Sequence, residues 1–347
     1  MNTHFYYTLC QAGAEKALKR EILHFFPQLR FAFSRPGFVT FKEEGDARAL
    51  ISDPAPCIFT RLWGISLGQA KSEADLDTLM QSVPTDAILH GMERDVYVPG
   101  DEPEGFVRNA HIGPLLEKWR GTRSSRTPKP GDWVYDLVWI DDFHVHLGKH
   151  LHSEAIDPAP GNFPEIPLPE ESPSRAYLKI EEAIHRFKPE VHAGMNVLEV
   201  GCSPGGATTA MLNRGMRVTG VDPKRMDPRL YRRKGFTSVQ KMAQLVMPSD
   251  LKENPDWIVM DMNIAPLEAI DELSHVIQCL RMNFKKSLAL KHGFLTIKLN
   301  DWRFADSIPL YLKRLEAIGF RNLRPTQLCS NRQEFFVYAD FASTYFA

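Results

Sequence analysis

VLEVGCSPGGAT, residues 197–208, carries a mostly apolar run into a glycine-rich turn and on into a predicted helix. The run reads as a strand buried on both faces, as in a parallel sheet. Gly201, Gly205 and Gly206 let backbone approach a ligand closely, and Pro204 stiffens the turn between them. The pattern continues outward from this point. Strands are predicted over 196–202, 217–223, 256–262, 293–300 and 333–341, with helices over 206–215, 268–288 and 307–319 between them. Such alternation predicts an α/β, Rossmann-like, doubly wound and mostly parallel sheet.

The turn also constrains the ligand. The second strand ends in Asp222, about 20 residues on, where a carboxylate can accept both ribose hydroxyls of a nucleoside. The turn reads G-x-x-P-G-G rather than the G-x-G-x-x-G that seats a pyrophosphate, and no phosphate loop is present. S-adenosylmethionine, which has no phosphates, fits better than NAD or ATP.

A second oddity is FLTIKL, residues 294–299, a core strand with Lys298 inside it. An ammonium is costly in an apolar sheet unless it is paired. In an open parallel sheet the carboxyl ends of the strands face one crevice, and Lys298 and Asp261 both stand near such ends. If the last strand runs antiparallel, its first residue, Glu334, starts at the same rim, and a helix from SRAYLKIEEA brings Lys179 over it. Two lysines and two carboxylates make a self-balancing ring. A purely structural ion-pair network, or snorkelling of Lys298, is the plainer reading of the same residues.

Upstream the pattern changes. Strands are predicted over 5–10, 30–34, 37–43, 57–70, 94–100, 132–140 and 142–150, with helices over 13–26, 73–83 and 112–121, an α+β domain with antiparallel pairing. Six prolines between Asp157 and Pro173 mark a semi-extended linker over 154–173, so the domains are predicted as 1–153 and 174–347. Residues 1–171 hold 17 Lys+Arg against 25 Asp+Glu, a net of -8, and residues 172–347 hold 25 against 18, a net of +7. The basic half suits a polyanion. Candidate phosphate contacts are Lys118, Arg120, Arg123, Arg126 and Lys129, and Arg229, Arg232, Arg233 and Lys234. No apolar run reaches the roughly 18 residues of a membrane span, and the start lacks a secretory pattern. Five scattered cysteines suit a reducing cytoplasm rather than a disulfide framework. His144, His146, His150 and His152 lack the companions that would complete a metal site, so no metal is expected.

PSRAYLKIEEA, VLEVGCSPGGAT, VDP, WIVMDM, FLTIKLN and EFFVYA, in that order and spacing, resemble the FtsJ-like ribose 2′-O-methyltransferases over roughly residues 172–340. The branch most similar methylates a cytidine ribose of bacterial large-subunit rRNA. Its first part is ferredoxin-like plus THUMP, a module binding structured RNA; over residues 1–153 only the order of elements is similar. The resemblance implies S-adenosylmethionine as cofactor, RNA rather than DNA as partner, and a tetrad of Lys179, Asp261, Lys298 and Glu334. It implies cofactor contacts from Ala176, Gly201, Cys202, Ser203, Pro204, Gly205, Gly206, Ala207, Asp222 and Asp261. One position departs: Met242 stands where the family often places an acid near the adenine. Lys298 is expected as general base, its pKa lowered by burial and by a second lysine, against the pull of the carboxylates. A different RNA acceptor (tRNA or a cap), or a non-catalytic assembly factor, are the alternatives.

Overall fold

The computed structural model describes residues 3–45, 57–97, 102–120 and 126–342. The chain divides into two compact units, Met1–Glu165 and Ile166–Ala347.

The first unit runs β1 (Thr3–Leu9), α1 (Glu15–Phe25), β2 (Arg30–Arg35), β3 (Phe38–Glu44), β4 (Leu62–Ala70), α2 (Glu73–Met80), β5 (Ile88–Glu93), α3 (Ile112–Arg120), β6 (Trp133–Asp141) and β7 (His144–Leu151). Its strands form one sheet in the order β2-β3-β1-β4-β7-β6-β5. Neighbours pair antiparallel, as expected, except that β5 runs parallel to β6. The strand predicted over 94–100 is misplaced. The paired segment is 88–93, where His90 and Gly91 break the apolar alternation that would have revealed it. Gly91 is needed there: a Cβ would lie 2.2 Å from Leu116 of α3, so the glycine lets the helix close on the sheet. Residues 98–100 of that predicted strand lie outside the described residues. The proline-rich segment is not wholly a linker either. Up to Glu165 it belongs to the first unit, where the Asn162 side chain is buried and donates to the Arg61 carbonyl at 2.6 Å.

The second unit comprises α4 (Ala176–Phe187), β8 (Asn196–Val200), α5 (Gly206–Asn213), β9 (Arg217–Val221), β10 (Phe236–Val239), β11 (Trp257–Asp261), α6 (Pro266–Phe284), β12 (His292–Lys298), α7 (Ile308–Ile318), β13 (Phe320–Thr326) and β14 (Glu334–Phe341). The sheet order is β10-β9-β8-β11-β12-β14-β13. The first five strands in that order are mutually parallel, while β14 is antiparallel to both β12 and β13. Chain order reverses between β8 and β11, so the crevice outside their carboxyl ends is where a ligand fits. Val197, Val218, Trp257, Val259, Phe294 and Phe336 pack one core of this unit, and Ile180 and Ala183 of α4 join it. The antiparallel β14 places Glu334 directly across from Lys298 in register.

Candidate active site

Four side chains predicted to converge do so. Lys179 Nζ lies 2.9 Å from Asp261 Oδ2 and 2.6 Å from Glu334 Oε1. Lys298 Nζ lies 3.1 Å from Asp261 Oδ1 and pairs as well with Glu334 Oε2. Each ammonium therefore touches both carboxylates, and each carboxylate spends one oxygen on each ammonium. The ring closes because four elements meet at one rim: the first turn of α4 supplies Lys179, β11 ends in Asp261, and the β12–β14 register sets Lys298 against Glu334. Glu334 and Lys179 are buried, while Asp261 and Lys298 keep partial access to solvent.

Burial alone would push the Lys298 ammonium down. Asp261 and Glu334 outweigh it and hold the group above the ordinary lysine value of 10.5. The expectation of a lowered lysine is thus corrected: in this ring the carboxylates win. For Glu334, burial favours the neutral acid, but Lys179 and Lys298 hold its carboxyl below the usual range.

A second layer fixes Glu334. Asn331, itself fully buried, donates from Nδ2 to Glu334 Oε1 at 3.0 Å. The loop carrying Asn331 is clamped by Glu182, one turn after Lys179 on α4. The buried Glu182 carboxylate accepts the backbone N–H of Cys329 at 2.7 Å and of Ser330 at 3.0 Å, and the Ser330 hydroxyl at 2.8 Å. Sequence reading missed both residues. Glu182 looked like an ordinary helix acid, and no local pattern ties it to a loop about 150 positions on.

Beside the ring opens a cavity of about 220 Å³, lined by Gly201, Ser203, Asp222, Met242, Ala243, Asp261, Ile264 and Glu272 among others. Gly201 sits at φ +83°, and a Cβ there would lie 2.7 Å from the Asp261 carbonyl oxygen, so only glycine lets β8 end against β11. Asp222 accepts the backbone N–H of Ser203 at 3.0 Å and of Lys224 at 2.7 Å, one on each oxygen.

A protein from Pseudomonas fluorescens named ribosomal RNA large subunit methyltransferase M is 36% identical to this chain over 334 residues, covering 88% of this chain and 89% of its own length. The chain belongs to the ribosomal RNA large subunit methyltransferase M family. Residues 173–339 match the FtsJ-like methyltransferase model. Members so named from Halorhodospira halophila and Azoarcus sp. are 30% and 26% identical, over 52% and 67% of this chain. Those matches span 50% and 64% of the relatives' own lengths.

The residues present fit the cofactor a methyltransferase of this family uses. Asp222 keeps free lone pairs for ribose hydroxyls, and the Ser203 N–H that a phosphate would want is already spent on it. Of the predicted cofactor residues, Gly201, Ser203, Asp222 and Asp261 line the cavity, whereas Ala176, Cys202, Pro204, Gly205, Gly206 and Ala207 are not part of its lining. The Cys202 thiol points into the core and meets Met226 sulfur at 3.3 Å. Gly206 serves packing: a Cβ there would lie 2.3 Å from Ser174 Oγ and 2.4 Å from the Ser174 carbonyl oxygen, just ahead of α4. Glu199, fully buried beneath the turn, was also missed. Burial pushes its carboxyl up to about 8, and Thr208 Oγ1 is 2.5 Å away. It is the same anomaly as Lys298, a charged residue type inside a core strand.

Among the described residues, no group of three or more His, Cys, Asp or Glu side chains could hold a metal. His146 contacts Ser66 Oγ at 2.8 Å and His150 contacts Asp136 at 2.6 Å. Of the candidate phosphate contacts, Arg229, Arg232 and Lys234 are exposed, while Arg229 and Lys118 are paired with Asp227 and Asp77. Arg123 and the Arg120 side chain lie outside the described residues.

Proposed function

We propose that this chain transfers a methyl group from S-adenosylmethionine to a ribose 2′-hydroxyl of RNA, at a cytidine of bacterial large-subunit rRNA. The observation that carries this reading is the closed Lys179–Asp261–Lys298–Glu334 ring at the rim of a nucleoside-sized cavity. When bound, the cofactor supplies an electrophilic methyl on a sulfonium. The work left to the protein is to align a hydroxyl with it and to remove the hydroxyl proton.

Lys298 is the acceptor of that proton, on Nζ. It must first be neutral, and its carboxylate partners oppose that. Filling the site tips the balance. Each positive charge brought beside Asp261 weakens the hold of that carboxylate on Lys298, and each water expelled raises the cost of an ammonium. Asp261 borders both ring and cavity and orients Lys298. Lys179 and Glu334 position the ribose and keep the remaining charge balanced. The first unit carries a ferredoxin-like and THUMP-like RNA-binding domain over 1–153. Residues 166–173 lead from that unit to the catalytic domain, 174–347. The protein works in the cytoplasm, which is consistent with the absence, among the described residues, of a helix long and apolar enough to cross a membrane.

The test is to incubate the protein and methyl-labelled S-adenosylmethionine with total RNA from cells lacking it, then to locate the label. Label on one ribose of large-subunit rRNA is expected. Label on tRNA or a cap, or on a base, rejects the assigned acceptor. Cofactor binding without transfer to any RNA rejects the enzyme.

A further inference from the structure

Met242 puts an apolar side chain on one wall of the cavity, yet that side is not without a carboxylate. Glu272 of α6 lines the same space as Met242 and Ala243. The placement is built by the helix. His275 and Cys279 both bond the Val246 carbonyl, at 2.9 Å and 3.3 Å, which docks this face of α6 onto the segment following β10. Glu272 stands one turn earlier, three residues before His275, so it reaches the level of residues 242–243. It is half-buried, and among the described residues it has no hydrogen-bond or ion-pair partner. Burial and the nearby Glu268 push its carboxyl up, with His275 opposing. A partly desolvated carboxylate without a donor gains from any N–H that enters the cavity. The walls beside it are Met242, Ala243, Met262 and Ile264, apolar surfaces suited to a flat ring.

We infer that Glu272 reads the adenine, accepting a hydrogen bond from its 6-amino group. This rests on the cavity being the S-adenosylmethionine site and adds to that reading the residue that selects adenine. It makes Glu272 a specificity residue of the cofactor site, remote from the tetrad chemistry.

The experiment is calorimetry on the full chain with S-adenosylhomocysteine and with its analogue bearing hydrogen in place of the 6-amino group. The wild type should prefer the amino compound by about tenfold to a hundredfold, the range of a hydrogen bond to a charged acceptor. Glu272→Ala should lose that preference to within about threefold while binding the deamino analogue as the wild type does, which also shows that it folds. Glu272→Gln, whose amide oxygen still accepts, should keep part of the preference. An unchanged preference in Glu272→Ala overturns the inference and leaves the cofactor site standing. Failure of the wild type to bind either compound overturns both.

Discussion

Lys298 is the proposed general base, and its surroundings are unusual for that role. A lysine locked between two carboxylates is charged at neutral pH, so the rate is limited by the small fraction that has lost its proton. Lys298→Ala should lower kcat by about a hundredfold to ten-thousandfold, while the calorimetric affinity for S-adenosylhomocysteine changes by less than about threefold. Lys298→Arg should be as inactive, because a guanidinium keeps its proton. Substantial turnover by either variant removes Lys298 from the base role. The pH profile is a second reading of the same claim. Because the Lys298 pKa lies above 10.5 in this ring, kcat/KM should climb about tenfold per unit between roughly pH 6 and 9 without levelling off. A plateau by about pH 7 would point to another base. Stability has its own sign. Glu334 is held below its ordinary 4.5, so its contribution is present above that value and lost as acid carries the pH through the folded pKa. Lys298 is held above 10.5, so its contribution is present below that value and lost as alkali carries the pH through the folded pKa. The difference in unfolding free energy between wild type and Glu334→Gln, from urea titrations, should therefore be flat between about pH 5.5 and 9.5 and shrink on the acid side.

At the scale of elements, α4 does more than deliver Lys179. Through Glu182 it holds the loop before β14 by three hydrogen bonds, and that loop in turn places Asn331 on Glu334. Glu182→Ala leaves the Cys329 and Ser330 donors buried without partners. It should cost about 2–4 kcal/mol in urea unfolding and lower kcat, with cofactor affinity nearly unchanged. Loss of stability with full kcat would show that the loop does not position Glu334. This clamp illustrates what the sequence could and could not reveal. Lys298, Asp261, Gly201 and Asp222 announce themselves as misfits or as punctuation at strand ends, so local pattern finds them. Glu182 and Asn331 act across a long separation, and nothing local distinguishes them from surface polar residues. Elements follow the same division. The parallel core strands are mostly apolar runs and were legible. By contrast, β10 and β13 sit at the sheet edges, where half-exposed sequences such as FRNLRPT, with Pro325 inside, give no strand period. In the first unit β5 was displaced for the same reason, its pattern broken by a glycine that serves helix packing.

Across the whole molecule the charges are segregated by unit. Residues 1–165 hold 17 basic and 23 acidic side chains, a net of -6, and residues 166–347 hold 25 and 20, a net of +5. A phosphate backbone is attracted to the second unit and, taken as a whole, repelled by the first. Any RNA contact by the first unit must then rest on local groups, and several of its basic side chains are already occupied, among them Arg35 with Asp141, Lys118 with Asp77 and Arg126 with Asp132. In the second unit Arg225 and Lys234 are exposed, and among the described residues neither side chain has an ion-pair partner. The catalytic unit should therefore supply a measurable share of the phosphate contacts rather than leave RNA binding to the first. Reversing two charges, Arg225→Glu with Lys234→Glu, should weaken binding to large-subunit rRNA fragments at low salt. The slope of log affinity against log salt should become shallower by about 1.5, because fewer counterions are released. S-adenosylhomocysteine affinity should stay at the wild-type value, since neither residue lines the cavity. An unchanged salt slope would mean that this basic face never meets the phosphates, and the first unit would have to hold the RNA against its own net charge.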